Sequence, residues 1–125
     1  MIEIEVVNRS GTKVDEVAAA ALARSVLAEE GVAAGELGLA FVGPDESRAL
    51  KREHLGVDEP TDALAFPIDG LGSVPEGVPR QLGDVVVCPD VVGEEWRRPL
   101  VHALLHLVGY DHGSKMEERE ALYAR

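Results

Sequence analysis

Cysteine is almost missing from this chain. Cys88 is the only one in 125 residues, so no internal disulfide can form, and a reducing compartment is expected. Basic residues are scarce as well: 12 Lys and Arg stand against 23 Asp and Glu, for a formal charge of −11. That balance argues against a protein whose affinity comes from coating itself with phosphates, so any contact with nucleic acid has to be local. Long apolar stretches are absent, and the longest run, 17–23, is far too short to cross a bilayer. The start carries Glu3 and Glu5 where a secretory signal needs basic and then apolar residues. No internal repeat or low-complexity tract is found. A cytoplasmic protein with no membrane partner is the expectation. What remains is ordinary for a globular protein, 46% apolar and 28% charged. The length suits a single domain over 1–125 that buries roughly two-thirds of its unfolded surface.

Periodicity divides the chain into short elements. Apolar and acidic residues alternate over 2–7, the pattern of a half-buried strand, and 8–11 reads as the turn that closes it. Thr12 and Asp15 resemble a capping box opening a helix with Val14, Ala18, Leu22 and Val26 at spacing four, and Gly31 is expected to stop it. A second strand is expected over 37–42, ended by Gly43 and Pro44. Asp45 is expected to cap a helix over 46–55, with Gly56 after it. A third strand over 63–68 contains Pro67, which places it at a sheet edge or a strand end. The Gly- and Pro-rich stretch 69–80 reads as a surface loop. A fourth strand follows over 83–88, with Pro89 as its stop. Pro99 suits the first turn of a helix running through Val108, and a last helix is expected from Ser114 to about Ala124, charged on most faces. Strands and helices mixed in this order on one short chain indicate a layered α+β or α/β fold.

The chemistry concentrates in the segment 101–112. His102 and His106 are four apart, which on a helix is about 6 Å of rise and roughly 40° of rotation, so both imidazoles leave one face. Rings so placed reach a Zn²⁺ at about 2.0–2.1 Å. Gly109 can end the helix in a left-handed turn and bring His112 round as a third ligand. Three neutral histidines leave a tetrahedral ion one position short, as in catalytic rather than structural zinc sites. Water in that position is acidified to a pKa of about 7. Asp111, next to His112 in sequence, could accept a ligand's spare ring N–H. Three imidazoles also accept nickel or copper in place of zinc. A zinc protease of the H-E-x-x-H type carries a Glu after its first histidine as general base. Here that position is Ala103, which weighs against efficient proteolysis and less against phosphodiester cleavage.

The run His-Ala-Leu-Leu-His-Leu-Val-Gly-Tyr-Asp-His at 102–112 resembles the signature H-G-x-L-H-L-x-G-Y-D-H of the YbeY family of bacterial rRNA maturation factors. Three more segments agree in the same order. Residues 60–67 resemble the family's P-T-D-V-L-S-F-P, residues 82–86 its L-G-D-I-x-I, and 116–120 the tail after the histidine motif. The resemblance implies an α+β fold with a mixed, four-stranded sheet packed with helices and a three-histidine zinc site on a helix and its following turn. It further implies a single-strand-specific, metal-dependent endoribonuclease acting in maturation of the 16S rRNA 3′ end and in ribosome quality control. Its partners would then be 16S rRNA and the small ribosomal subunit, and its cofactor one Zn²⁺ held by His102, His106 and His112. Many members carry an arginine ahead of P-T-D; the aligned position here is Leu55, with Lys51, Arg52 or Arg80 nearby to supply charge. The segment between Cys88 and the histidine helix is also short for the family, so a helix there is expected to be cut down.

Two other readings compete with the nuclease: a zinc peptidase, and a ribosome-assembly factor in which zinc only holds the helix and turn together. No general base is assigned. Arg97, in Trp96-Arg97-Arg98, joins Arg52 and Arg80 as a candidate substrate contact, since an aromatic beside cations suits a base and a phosphate. His54 is expected to serve as a cation at a helix C-terminus, and Cys88 as a small buried residue rather than a ligand. Asp62 and Asp84 read as turn-stabilising carboxylates. Tyr110 reads as a core residue with its hydroxyl toward the site, and Glu117 and Glu118 as solvent-facing.

Overall fold

Alternating apolar and acidic residues at the start become strand β1, Ile2–Asn8, whose Ile2 is buried while Glu3 and Glu5 differ in exposure from it as the pleat requires. The computed structural model describes residues 1–110 and 113–123. After β1 come α1 (Glu16–Glu29), β2 (Gly35–Phe41), α2 (Pro44–Leu55), β3 (Ala63–Pro67) and β4 (Gln81–Val87). The single-turn α3 (Pro89–Val92), α4 (Arg97–Leu107) and α5 (Ser114–Tyr123) complete the order. The four strands form one mixed sheet, ordered β1-β2-β4-β3. β1 and β4 run parallel to β2, while β3 pairs antiparallel with β4, Pro67 opposite Gly83. Pro67 therefore sits at the end of an edge strand, where its missing N–H breaks no ladder.

One face of this sheet carries the core. Leu37, Leu39, Phe41, Leu82, Val85 and Val87 meet Ala19, Ala23, Val26 and Leu27 of α1 and the apolar side of α4. The small alanines let α1 lie close to the sheet, and burial of this kind is the main favourable term in folding. Met116 from α5 joins the same core, only 1% exposed.

Several local expectations are corrected. The cap of α1 is Asp15 itself, whose Oδ1 accepts from the Ala18 N–H at 3.0 Å. Thr12 instead donates to Asp90, so no capping box forms. The buried stripe of α1 is Ala19, Ala23, Val26 and Leu27, rotated from the expected one, with Val14, Ala18 and Leu22 only half-buried. α2 begins at Pro44 behind Gly43, which places Asp45 in the first turn, where it suits the helix dipole. Gly56 ends that helix as expected. Pro89 starts a helical turn as well as ending β4, since proline fits a first turn. α4 starts at Arg97, two residues ahead of Pro99. Asp84 lies within β4 opposite Gly38, not in a turn. Asp62 does brace its own backbone, accepting from the Ala63 N–H at 2.7 Å.

Candidate metal centre

Helix α4 is built from good helix formers with apolar residues on one side: Leu100, Val101, Leu104, Leu105 and Leu107 are all buried. Packing that side onto β3 and β4 leaves Arg98, His102 and His106, each four apart, on the side that faces the cleft. Both histidines are half-buried. Their ring centroids lie 4.8 Å apart with planes crossing at 80°, so the helix brings them together as their spacing implies.

Each ring is anchored through the same nitrogen. His106 Nδ1 lies 3.0 Å from the carbonyl oxygen of Tyr110. A carbonyl only accepts, so Nδ1 carries the proton and donates. This contact exists because the chain folds back beyond α4. Gly109 takes a φ of +103° and its N–H donates to His106 O, while the Tyr110 N–H donates to Leu105 O. A residue with a side chain rarely adopts that φ. His102 Nδ1 lies 2.9 Å from Oε2 of Glu120, on α5. Burial pushes the Glu120 carboxyl up, but hydrogen bonds from His102 and Arg98 outweigh it and hold it below the usual carboxylate range. The group is therefore a carboxylate, and His102 Nδ1 donates to it. In a neutral imidazole protonated at Nδ1, the lone pair is on Nε2.

Two imidazoles on adjacent turns, each with Nδ1 held by an oxygen, match the donor set and outer shell that zinc takes in proteins, so the residues present fit the ion. Asp111 and the expected third ligand His112 lie outside the described residues. Among the described residues, no group of three or more His, Cys, Asp or Glu side chains is placed to hold a metal.

The histidines open onto a cleft of about 960 Å³, walled by α2 through Lys51 and Leu55, by Thr61 to Ala65 and Pro67, and by Glu95, Arg98 and Pro99. Leu55 is 60% exposed there. Lys51 pairs with Glu59 at 3.0 Å, and Arg52 approaches Asp58 at 3.9 Å. Neither Arg80 nor Arg97 lines this cleft. Arg80 donates to the carbonyls of Gly70 and Gly72, closing the loop before β4. Arg97 lies 4.4 Å over the Trp96 ring, beside a separate cavity of about 860 Å³. Ala103 lines the cleft and, being alanine, contributes no carboxylate to it. Cys88 is buried at the start of α3.

Tyr110 departs from its expected role. Its hydroxyl donates to Glu30 at 2.6 Å, away from the histidines, and it is the backbone carbonyl that serves the site. Glu120, which contacts His102, was not singled out by sequence reasoning. Its signals are its place in the 116–120 tail and its position one turn beyond the buried Met116 on α5. Glu117 and Glu118 are exposed, as expected. No helix among the described residues is long and apolar enough to cross a membrane.

The family profile described as Endoribonuclease YbeY matches residues 4–124. Endoribonuclease YbeY of Salinispora tropica is 41% identical over 147 aligned positions, covering 99% of this chain and 93% of that one. An alignment longer than the 125-residue chain carries gaps on this side, consistent with shortened connections. The protein of the same name from Mycolicibacterium paratuberculosis is 35% identical, covering 95% and 77%. Among solved structures, the solution structure of TM1509 from Thermotoga maritima superposes with a TM-score of 0.56 at 26% identity, over 99% of this chain and 87% of that one.

Proposed function

The chain belongs to the endoribonuclease YbeY family, and from that premise we propose that it is a zinc-dependent endoribonuclease specific for single strands. Its role would be maturation of the 16S rRNA 3′ end and ribosome quality control in the bacterial cytoplasm, on 16S rRNA and the small ribosomal subunit. The ion would be held by His102, His106 and His112. The observation that carries the reading is the paired imidazoles of α4, 4.8 Å apart and both fixed through Nδ1.

A zinc ion bound there would supply Lewis acidity, acidifying water and offsetting charge on phosphate oxygens. The chain's own residues do the rest. His106 is oriented by the Tyr110 carbonyl and His102 by Glu120, so neither ring must be ordered when the site is loaded. The apolar stretch Ala63 to Ala65 and Leu55 give the cleft a wall on which a flexible strand can lie. Arg98, with its side chain 62% exposed, is the cation nearest the histidines in sequence and on the same helix side. Ala103 leaves the peptidase reading without the base that H-E-x-x-H enzymes use.

The test is His106→Ala, assayed on a single-stranded fragment of the 16S rRNA 3′ region and on casein. Loss of bound zinc together with loss of RNA cleavage is expected. A variant that keeps full metal stoichiometry would overturn the ligand assignment. Proteolysis with RNA left intact would favour a peptidase. Unfolding on chelation, with no RNA cleavage when metal is restored, would favour the structural reading.

A further inference from the structure

Counted over the whole residue, Ser47 and Glu120 are the buried polar or charged positions among those described; of the two carboxylates whose side chains are nearly enclosed, Glu30 faces tyrosines and Glu120 faces the histidine helix. The Glu120 side chain is 11% exposed. Docking of α5 does not require it, because Met116 already anchors that helix in the core. A buried carboxylate is costly unless its charge is paired and its oxygens are bonded. Both conditions are met, and both by α4: Oε1 accepts from Arg98 Nε at 2.9 Å and Oε2 from His102 Nδ1 at 2.9 Å. Arg98 and His102 are one turn apart, so a single carboxylate spans them.

We infer that Glu120 is a positioning residue for the metal centre: it fixes the ring orientation and tautomer of His102, while Arg98 fixes the carboxylate. The inference rests on the zinc reading above. His102 is 35% exposed at its side chain, so its ring is not enclosed by packing on every side. The hydrogen bond to Glu120 selects the orientation in which Nδ1 is protonated and faces α5. The docking of α5, 18 residues along the chain from His102, is thereby coupled to metal affinity. Arg98 holds the second oxygen, so the carboxylate cannot rotate away without breaking an ion pair. Loss of an outer partner of this kind typically weakens metal binding about 10–100-fold.

The experiment compares wild type, Glu120→Ala, Glu120→Gln, Arg98→Ala and His102→Ala, all full length. Zinc affinity is measured by competition with a chromogenic chelator, and the His102 tautomer by ¹⁵N ring shifts in metal-free protein. Glu120→Ala is expected to bind zinc about 10–100-fold more weakly and to show mixed His102 tautomers. Glu120→Gln keeps an acceptor oxygen and most of the volume, and is expected to fall between the two. Arg98→Ala is expected to weaken binding by a smaller factor. If both Glu120 variants bind zinc within twofold of wild type while His102→Ala loses it, Glu120 does not position the ligand and the zinc reading stands. Weaker binding that tracks only a lowered melting temperature, with the tautomer unchanged, also overturns the positioning role. If His102→Ala itself binds zinc like wild type, the zinc reading fails and this inference falls with it.

Discussion

Gly83 occupies a point in β4 that no side chain can share. A Cβ there would lie 2.3 Å from the Phe66 carbonyl oxygen and 2.8 Å from Leu107 Cδ1, and its φ is +138°. The close approach lets the end of α4 settle against the β3–β4 pair, and so helps to fix the helix that carries the histidines. Gly83→Ala is expected to cost about 2–4 kcal/mol in urea unfolding, combining backbone strain and displacement of Leu107. An unchanged midpoint would show that the strand relaxes freely. The histidine pair was legible in the sequence at this scale because a spacing of four has one meaning on a helix. Glu120 was not, because its partners lie 22 and 18 residues away and no local pattern encodes a contact between two helices. Asp84 misled for a related reason: beside Gly83 it reads as a turn, yet Gly83 is there for packing.

Elements meet at Glu30, just past α1. Its carboxylate, 5% exposed, accepts from the hydroxyls of Tyr110 and Tyr123 and lies 3.6 Å from Arg119 Nε. One side chain thus ties the end of α1 to the exit of α4, within the histidine motif, and to α5 beyond it. Burial, followed by the Glu30 carboxylate, pushes the Tyr123 hydroxyl up to about 12, against about 10 for tyrosine in an unfolded chain. The folded state holds that proton more tightly. The resulting stability is fully present below about pH 10 and is lost as pH rises towards 12. Unfolding free energy is therefore expected to fall over that window, and less steeply in Tyr123→Phe; identical slopes would mean that the hydroxyl is not linked to folding. Starts and stops of elements were legible where one residue type has one use, as with Gly56 after α2 and Pro67 on an edge strand. They shifted by a turn or less where two residues compete, as Thr12 and Asp15 do for the α1 cap. The parallel pairing that gives the order β1-β2-β4-β3 was beyond local reading, since it is set by contacts far apart in sequence.

A formal charge of −11 repels a polyanion over most of the surface, so the proposed engagement of RNA has to be short-ranged and confined to the cleft. The cations of α2 do little to offset it: Arg48 and Lys51 are held by Asp58 and Glu59. Leu55 stands exposed at the cleft wall, at the position where the family resemblance leads us to expect an arginine. Leu55→Arg is expected to leave metal content unchanged and to steepen the salt dependence of single-stranded rRNA binding by about 0.7 in log–log slope, one added phosphate contact. Fluorescence anisotropy across a salt series reads this, and an unaltered slope would place the bound strand elsewhere. The proposed site turns on which atoms would surround a zinc ion, and X-ray absorption at the zinc edge on protein purified without a histidine tag measures that directly. Three imidazole nitrogens at about 2.0–2.1 Å with one further light ligand are expected. Sulfur at about 2.3 Å, fewer than three imidazoles, or no stoichiometric zinc would contradict it.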